Sequence, residues 1–467
     1  MKVMPTLSRR ELLKYASAAS LALSARARGQ SQPSLAPYPT IFIHLFGGVD
    51  QFMFFDARPG LPNRDVQASN VRVTRAGVRW NTATLDPYLT AHMEDAVLIR
   101  NLTAFGDHVR SSTELLYGQL PSEPSGLRSS CKPWMNVLAS QLNARVKVPL
   151  PNVAKYYSLA PSVGAVEPLN LVSWNNVSLD PLCAVRRVQN LVDFAKSLDV
   201  SASVAEVARR QAAYRLSASL DPLFSPQQQH RLLDLYGQSL QQADAALAST
   251  AAVKTFWPPA ASTSTAFNLG AGDLAQTNLP NGQPGIKAML AAAFEMARLQ
   301  LTHVVFVMKC ENGDYDSSHD ENINTQHTVS KPDFEAIGQL LSALKATPSP
   351  VEPGQSMFDT THVVVTSEII RNPSNSDAGG GVKAAGTSHW PGNQAVCFGG
   401  RFRRGLLFGD LGPNYMGLST DFATGTIGQG SVPTPNDLIA TLFRANGVDS
   451  ALWSAKGKPL TAVLRSP

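Results

Sequence analysis

Residues 361–400 read THVVVTSEIIRNPSNSDAGGGVKAAGTSHWPGNQAVCFGG, and the rest of the chain is best understood from this stretch. It opens with a Val-rich run, residues 362–366, that is typical of a buried strand in a parallel sheet. Glu368 follows at the strand exit, and in open α/β sheets the cleft lies outside the carboxyl ends of the strands. A glycine-containing loop then delivers His389, before a second apolar run at residues 395–398 begins another strand. The stretch therefore predicts a functional site at a strand exit.

Two further apolar runs end in the same way. Residues 40–46 lead into Asp50, and residues 304–309 lead into Asp316 and His319. Because the carboxyl ends of parallel strands share one edge of a sheet, these groups are expected to lie near one another. Carboxylate and imidazole groups are metal ligands, so the three exits together predict a metal or phosphate-type site.

The pattern outside these strands predicts the fold class. Helical periodicity at residues 285–301 and 333–345 alternates with Val-rich strands, which predicts an α/β fold with helices on both faces of a parallel sheet. Residues 186–285 carry a helical pattern followed by a connection rich in Ala, Ser, Thr, Gly and Pro, and are predicted to form a helical insertion and connection. The α/β core would then comprise residues 39–185 and 286–467.

The first residues are predicted to direct export. Arg9 and Arg10 form a twin-arginine pattern, a small-residue apolar stretch follows, and Ala-Arg-Ala at 25–27 offers a cleavage site. Residues 1–27 are therefore predicted to be a twin-arginine signal peptide, and residues 28–38 a linker. The alternative is an ordinary amphipathic helix. The mature protein is expected in the periplasm or at the cell surface.

The charge of the chain belongs largely to this leader. The chain has 40 Lys and Arg against 35 Asp and Glu, a formal charge of +5. Residues 1–27 hold five basic residues and one acidic residue, so their removal leaves 35 against 34, or +1. We therefore expect no nucleic-acid partner. No stretch of the mature chain has the length and apolarity of a transmembrane span, and the sequence leaves the oligomeric state open.

Four motifs together resemble a known family. They are Gly47-Gly48-Val49-Asp50, Gly313-x-x-Asp316-x-x-His319, Ser367-Glu368-x-x-Arg371 and Gly386-Thr387-x-His389. Their order and spacing resemble the exported bacterial family of unknown function numbered 1501, which is similar to the alkaline phosphatase and sulfatase superfamily. The resemblance covers nearly the whole mature chain. It implies an alkaline-phosphatase-like three-layer sandwich with a mostly parallel central sheet, and metal-dependent hydrolysis of phosphate or sulfate esters.

The resemblance also implies a set of metal ligands. They are Asp50, Asp316, His319, Glu368 and His389. Carboxylates and imidazoles suit a hard or borderline divalent ion, zinc first, with manganese, magnesium or calcium as alternatives. Each ligand has another interpretation. Asp50 is also typical of a turn, and His319 of a solvated loop. Glu368 could instead pair with Arg371, and His389 could pack beneath its loop.

Ser111 is the candidate nucleophile. It lies at a predicted helix start, residues 111–114, where the helix N-terminus stabilises anions, and Arg110-Ser111 resembles an Arg-Ser pair of the family. Arg371 is predicted to act in catalysis, and Arg110 to bind the anionic oxygens of the substrate. The alternative for Ser111 is an ordinary helix cap.

The chain also departs from the motifs of alkaline phosphatases and sulfatases. Ile369 follows Glu368 where alkaline phosphatases carry a histidine, and Met135 stands where the sulfatase signature has an arginine. The leading prediction is a hydrolase acting on a small anionic ester or an envelope polymer. The alternative is a non-catalytic envelope protein that keeps the fold, with or without a structural metal ion.

Overall fold

A nine-stranded sheet forms the centre of the described part of the chain. The structure is a computed structural model, and it describes residues 36–118, 133–148, 152–155, 176–180, 184–186, 257–275, 285–309, 315–316, 322–373, 388–453 and 457–465. The chain divides into two units, residues 1–36 and residues 37–467, and the sheet belongs to the second. Among the described residues, no helix is both long enough and apolar enough to cross a membrane.

The strands are numbered in chain order. They are β1 (Thr40–Leu45), β2 (Val71–Val73), β3 (Arg79–Asn81), β4 (Val97–Leu102), β5 (Asn152–Lys155), β6 (Asn176–Asp180), β7 (Ala184–Arg186), β8 (Val304–Lys309), β9 (His362–Thr366), β10 (Ile370–Arg371), β11 (His389–Trp390), β12 (Asn393–Gly399) and β13 (Leu406–Phe408). The central sheet has the order β13-β4-β12-β9-β1-β8-β5-β6-β7, while β2 pairs with β3 and β10 with β11.

The α-helices are numbered in the same way. They are α1 (Thr82–Leu85), α2 (His108–Tyr117), α3 (Trp134–Arg145), α4 (Ala261–Ala266), α5 (Ala271–Ala275), α6 (Ile286–Arg298), α7 (Gln326–Ala346) and α8 (Pro435–Ala445). α8 begins with a capping box, in which Thr434 and Asp437 each satisfy a backbone N–H of the other.

Strand direction decides where the site forms. β1 pairs in parallel with β8 on one side and with β9 on the other. β12 is antiparallel both to β9 and to β4, so β4 runs in the same direction as β9. The carboxyl ends of β1, β4, β8 and β9 therefore meet at one edge of the sheet, and the start of β12 lies at that edge too.

The alternation of side chains along β1 builds two cores. Ile41 and Ile43 are fully buried on one face, in a core shared with α6 and α7. Phe42 is buried on the other face, in a core shared with α2, α3 and α8, and its ring lies 5.2 Å from that of Trp134. Burying such a side chain contributes about 1.5–3 kcal/mol. Helices thus cover both faces, and the predicted three-layer α/β sandwich with a mostly parallel sheet is confirmed.

Two helices begin earlier than the sequence indicated. α2 starts at His108 and not at Ser111, because the Asp107 side chain caps it by accepting from the N–H of Arg110 at 2.8 Å. α7 starts at Gln326, several residues before the predicted start at residue 333. The predicted signal peptide and residues 187–256 of the predicted helical insertion lie outside the described residues, so both stay predictions.

Candidate metal centre

Separate segments of the chain bring titratable side chains to the edge of the sheet where β1, β4, β8 and β9 end. His108 opens α2 after β4, Asp316 follows β8, and Glu368 follows β9. His389 belongs to the short strand β11, which pairs with β10 so that Arg371 lies opposite His389. The edge predicted from the sequence therefore carries four of these groups and a guanidinium.

Three of these side chains form a possible ligand set. Ligand atoms of His108, Asp316 and His389 all lie within 4.8 Å of one another. Oδ1 of Asp316 is 2.9 Å from Nε2 of His108 and 3.6 Å from Nε2 of His389. The three side chains are 13%, 42% and 22% exposed, in the order His108, Asp316, His389, so solvent reaches the group. Two imidazoles and a carboxylate are the donor types that zinc takes in catalytic sites, so this set fits a divalent ion.

Glu368 lies behind the set and is fully buried. Its Oε1 accepts from the N–H of Gly47 at 2.9 Å and from Nδ1 of His108. Its Oε2 lies 3.0 Å from both Nε2 of His44 and Oγ of Ser367. Burial acts to raise the pKa of Glu368, but the hydrogen bonds of His108 and His44 outweigh it and hold that pKa well below its usual range.

Arg371 is also fully buried, and it is held by backbone carbonyls. Its Nε donates to the carbonyl of Gly48 at 3.0 Å, and its Nη2 donates to the carbonyls of Gly47 and Tyr315 and to Oδ1 of Asp316. Gly48 has a φ of +75°, and a Cβ there would lie 2.9 Å from Nε of Arg371. The two glycines after β1 thus allow the guanidinium to approach the backbone and to anchor Asp316.

Burial and hydrogen bonds shift the pKa values of this group in opposite directions. Burial acts to lower the pKa of His108, but its hydrogen bonds to Asp316 and Glu368 raise it to about 9. Burial acts to raise the pKa of Asp316, but the hydrogen bond from His108 and the proximity of His389 and Arg371 hold it well below its usual range. Burial lowers the pKa of His389. Both carboxylates thus contact the His108 imidazole, and Asp316 also accepts from the Arg371 guanidinium.

Asp50, the first of the predicted ligands, is paired with Arg64. Its Oδ2 lies 2.6 Å from Nε of Arg64, and both side chains are buried. Its Oδ1 accepts from the N–H of Phe52 at 2.9 Å. Burial raises the pKa of Asp50, although the Arg64 guanidinium acts in the opposite direction. The structure therefore shows Asp50 in a buried ion pair, and its role as a ligand stays a prediction.

The other predicted residues have these positions. Ser111 is buried, and its hydroxyl donates to the carbonyl of Phe105 at 2.5 Å. Arg110 is exposed and lies 3.6 Å from the carboxylate of Asp107. His319 lies outside the described residues. The catalytic roles of Ser111 and Arg371, and substrate binding by Arg110, stay predictions.

Two residues of the centre did not enter the predicted site. His108 follows β4, which is the same kind of strand-exit position that indicates Asp50 and Asp316. His44 lies within the apolar run of β1, and the structure places its Nε2 3.0 Å from Oε2 of Glu368. A polar side chain within an apolar strand next to an exit is the signal for such a residue.

The sequence profile of the family described as protein of unknown function (DUF1501) matches residues 39–461, so the chain belongs to this family. The resemblance inferred from the motifs is thereby confirmed. No curated protein matches the chain.

Solved structures with detectable similarity include a sulfatase. The sulfatase PsFucS1 from Pseudoalteromonas sp. is 12% identical, with a TM-score of 0.35 over 98% of this chain and 81% of that one. Ps i-CgsB is 9% identical, with a TM-score of 0.34 over 90% and 75%. BT4656, solved with D-glucosamine-2-N,6-O-disulfate, is 10% identical, with a TM-score of 0.35 over 92% and 80%. These TM-scores mark a loose likeness, so the proposals below rest on the side chains of this chain.

Proposed function

We propose that this chain is an exported hydrolase of phosphate or sulfate esters that depends on a divalent metal ion. The observation that carries the proposal is the convergence of His108, Asp316 and His389 within 4.8 Å at the carboxyl edge of the sheet. Ligands usually bind at this edge of an open α/β sheet. Zinc is the first candidate, because the donor set contains two imidazoles.

A bound divalent ion would supply Lewis-acid polarisation of an ester oxygen and a lowered pKa for a water molecule. The side chains supply the rest. Nη2 of Arg371 donates to Asp316 at 2.9 Å and so fixes the carboxylate in place. His108 is the first residue of α2, so the positive end of that helix dipole faces the site and favours an anionic substrate. An anionic ester, free or within an envelope polymer, is the substrate class that fits.

A non-catalytic envelope protein with a structural ion is the second candidate. The burial and hydrogen bonding of the two proposed catalytic residues, Ser111 and Arg371, favour this candidate. The hydroxyl of Ser111 is occupied by a backbone carbonyl, and Arg371 is buried among carbonyl oxygens. Neither group presents a free nucleophile or an accessible guanidinium to a substrate. If the protein is an enzyme, a water molecule is therefore a better candidate nucleophile than the Ser111 hydroxyl.

Metal analysis and turnover of the purified mature protein test the proposal together. We expect one zinc per chain by elemental analysis, and hydrolysis of a generic aryl sulfate or aryl phosphate that stops on chelation and returns with zinc. His389→Ala should lose both the ion and turnover. His303→Gln is the matched control, because His303 contacts the carbonyl of Val146 and precedes β8 at the opposite edge of the sheet.

The outcomes separate the two candidates. Zinc bound without turnover on either ester class would favour the structural role. Zinc content unchanged in His389→Ala would overturn the ligand set. The predicted location, periplasm or cell surface, is part of the proposal and rests on the twin-arginine pattern of the leader.

A further inference from the structure

We propose that Glu368 does not bind the ion but orients His108 toward it, with His44 holding Glu368 from behind. This inference rests on the metal centre proposed above, and it changes the role that the sequence indicated for Glu368. The residues form a chain of contacts that runs from the core of β1, through a buried carboxylate, to a ligand atom at the surface of the site.

Both oxygens of Glu368 are already engaged by neighbouring groups. An ionised carboxylate offers about four acceptor positions. Three are taken, by His108 and the N–H of Gly47 on Oε1 and by His44 on Oε2. The hydroxyl of Ser367 lies 3.0 Å from Oε2, and its single hydrogen also has the carbonyl of Leu45 as an acceptor at 2.7 Å. The side chain is 0% exposed. Oε1 is the oxygen that contacts His108, and an ion could bind it only after a buried donor had lost its acceptor, which costs about 1–3 kcal/mol per group.

The hydrogen bond to Glu368 sets the tautomer of His108. When Nδ1–H donates to Glu368, Nε2 is left to act as the ligand atom, and Nε2 is the atom that faces Asp316 at 2.9 Å. A ligand histidine that donates its other ring N–H to a carboxylate has a fixed tautomer, a fixed ring orientation and a more basic donor atom. Two neighbouring rings also restrict the His108 imidazole. Its ring centroid lies 5.2 Å from that of Phe46 and 4.3 Å from that of His389.

His44 supports Glu368 from behind. It lies within β1, is fully buried, and contacts Glu368 at 3.0 Å. The register of β1 against β9 pairs the backbone of His44 with that of Thr366, two residues before Glu368. The position of the carboxylate is therefore fixed by the centre of the sheet, and a change at His44 should reach the ion through two hydrogen-bonded groups.

Zinc affinity of the full mature protein tests the inference. We expect Glu368→Gln to raise the zinc dissociation constant about 10–100-fold, as loss of an outer-shell carboxylate does, while one zinc per chain still binds. His108→Ala should lose the stoichiometric site. Glu295→Gln is the matched control, because Glu295 is an equally buried carboxylate that pairs with Arg298 on α6, and it should leave zinc affinity unchanged.

Two further measurements distinguish positioning from a merely structural role. In zinc-loaded protein with labelled histidine, the Nδ1–H of His108 should give a low-field proton signal that shifts in Glu368→Gln. In cobalt-loaded protein, the visible spectrum should keep its form in that variant, because the ligand set is the same. If Glu368→Gln does not fold, His44→Phe replaces it. Aromatic rings already surround that position, with Phe306 at 6.1 Å, and we expect a smaller rise in the dissociation constant.

Several results would overturn the inference. An oxygen of Glu368 coordinated to the ion in a zinc-loaded crystal structure would make it a ligand, and unchanged affinity in Glu368→Gln would leave it without a role. Absence of zinc binding by the unmodified protein would remove the proposed centre and this inference together. Zinc binding without ester hydrolysis would remove only the enzymatic part of the proposed function, and the role of Glu368 would stand.

Discussion

Replacement of Arg64 by methionine should destabilise the protein far more than an ordinary ion-pair deletion. Arg64 and Asp50 are 1% and 0% exposed at the side chain, with 2.6 Å between Nε and Oδ2. Arg64→Met would leave a buried carboxylate without its cation, which costs about 3–5 kcal/mol. It would also leave the carbonyl of Asn372 without the donor that lies 2.8 Å away. Protonation of Asp50, whose pKa burial already raises, would limit the loss. We therefore expect Arg64→Met to lower the free energy of unfolding by about 3 kcal/mol, the lower end of that range.

Urea unfolding at pH 7 measures this loss, and a double variant isolates its cause. Asp50→Asn with Arg64→Met removes both charges and should recover most of the stability, since a removed pair leaves no uncompensated charge. Arg58→Met is the control. Arg58 is 25% exposed, and its partner Asp56 keeps Arg100 at 2.7 Å, so the cost should stay below about 1 kcal/mol.

Two results would refute this reasoning. A loss below about 1 kcal/mol in Arg64→Met would show that the pair is not a desolvated one. A double variant as unstable as the single one would show that packing, and not charge, sets the cost. The same variants decide the role predicted from the sequence. Retention of zinc by Asp50→Asn with Arg64→Met would favour the ion pair, and loss of zinc would make Asp50 a ligand.

Three further outcomes are expected. Burial and the nearby Asp437 raise the pKa of Glu114 to about 7, above the ordinary value of 4.5. The folded protein therefore loses stability as pH rises from 4.5 through 7, because Glu114 must ionise in a buried position. Glu114→Gln should raise the melting temperature at pH 8 and not at pH 4. The pKa of His108 is about 9 in the folded protein, against 6.5 when unfolded. In chelator-treated protein its contribution to the free energy of unfolding is therefore fully present below pH 6.5 and is lost as pH rises through 9. The unfolding free energies of the unmodified protein and His108→Gln should converge at high pH. Replacement of Arg9 and Arg10 by lysine should leave precursor in the cytoplasm on cell fractionation, and normal export would contradict the leader assignment.

The strands that carry the site could be predicted because their signal is local. β8 and β9 match the predicted runs, and β1 ends one residue earlier than predicted. Each is a continuous β-branched or aromatic run bounded by polar or glycine residues, as expected for strands buried on both faces. The shared direction of these strands then follows from helix and strand alternation. The edge that holds Asp316, Glu368 and His389 was therefore accessible from the sequence alone.

Side-chain partners could not be predicted, because they depend on contacts between distant segments. β4 reaches the sheet through antiparallel β12, and nothing local to His108 indicates that pairing. Arg64 lies in a loop after Asp50, and no spacing rule connects a buried carboxylate with a guanidinium in such a loop. The start of α2 was misplaced because both Asp107 and Ser111 are good caps, and the fold selects the first.

The position of β1 at the centre of the sheet has a consequence for synthesis. This strand lies near the beginning of the chain, yet both of its neighbours, β8 and β9, come from the second half. During translation one hydrogen-bonding edge of β1 stays unpaired until residue 309 has left the ribosome, and the other until residue 366 has. Such long-range closure is slow and leaves apolar segments open to aggregation, so newly made chains should depend on chaperones that bind extended apolar strands.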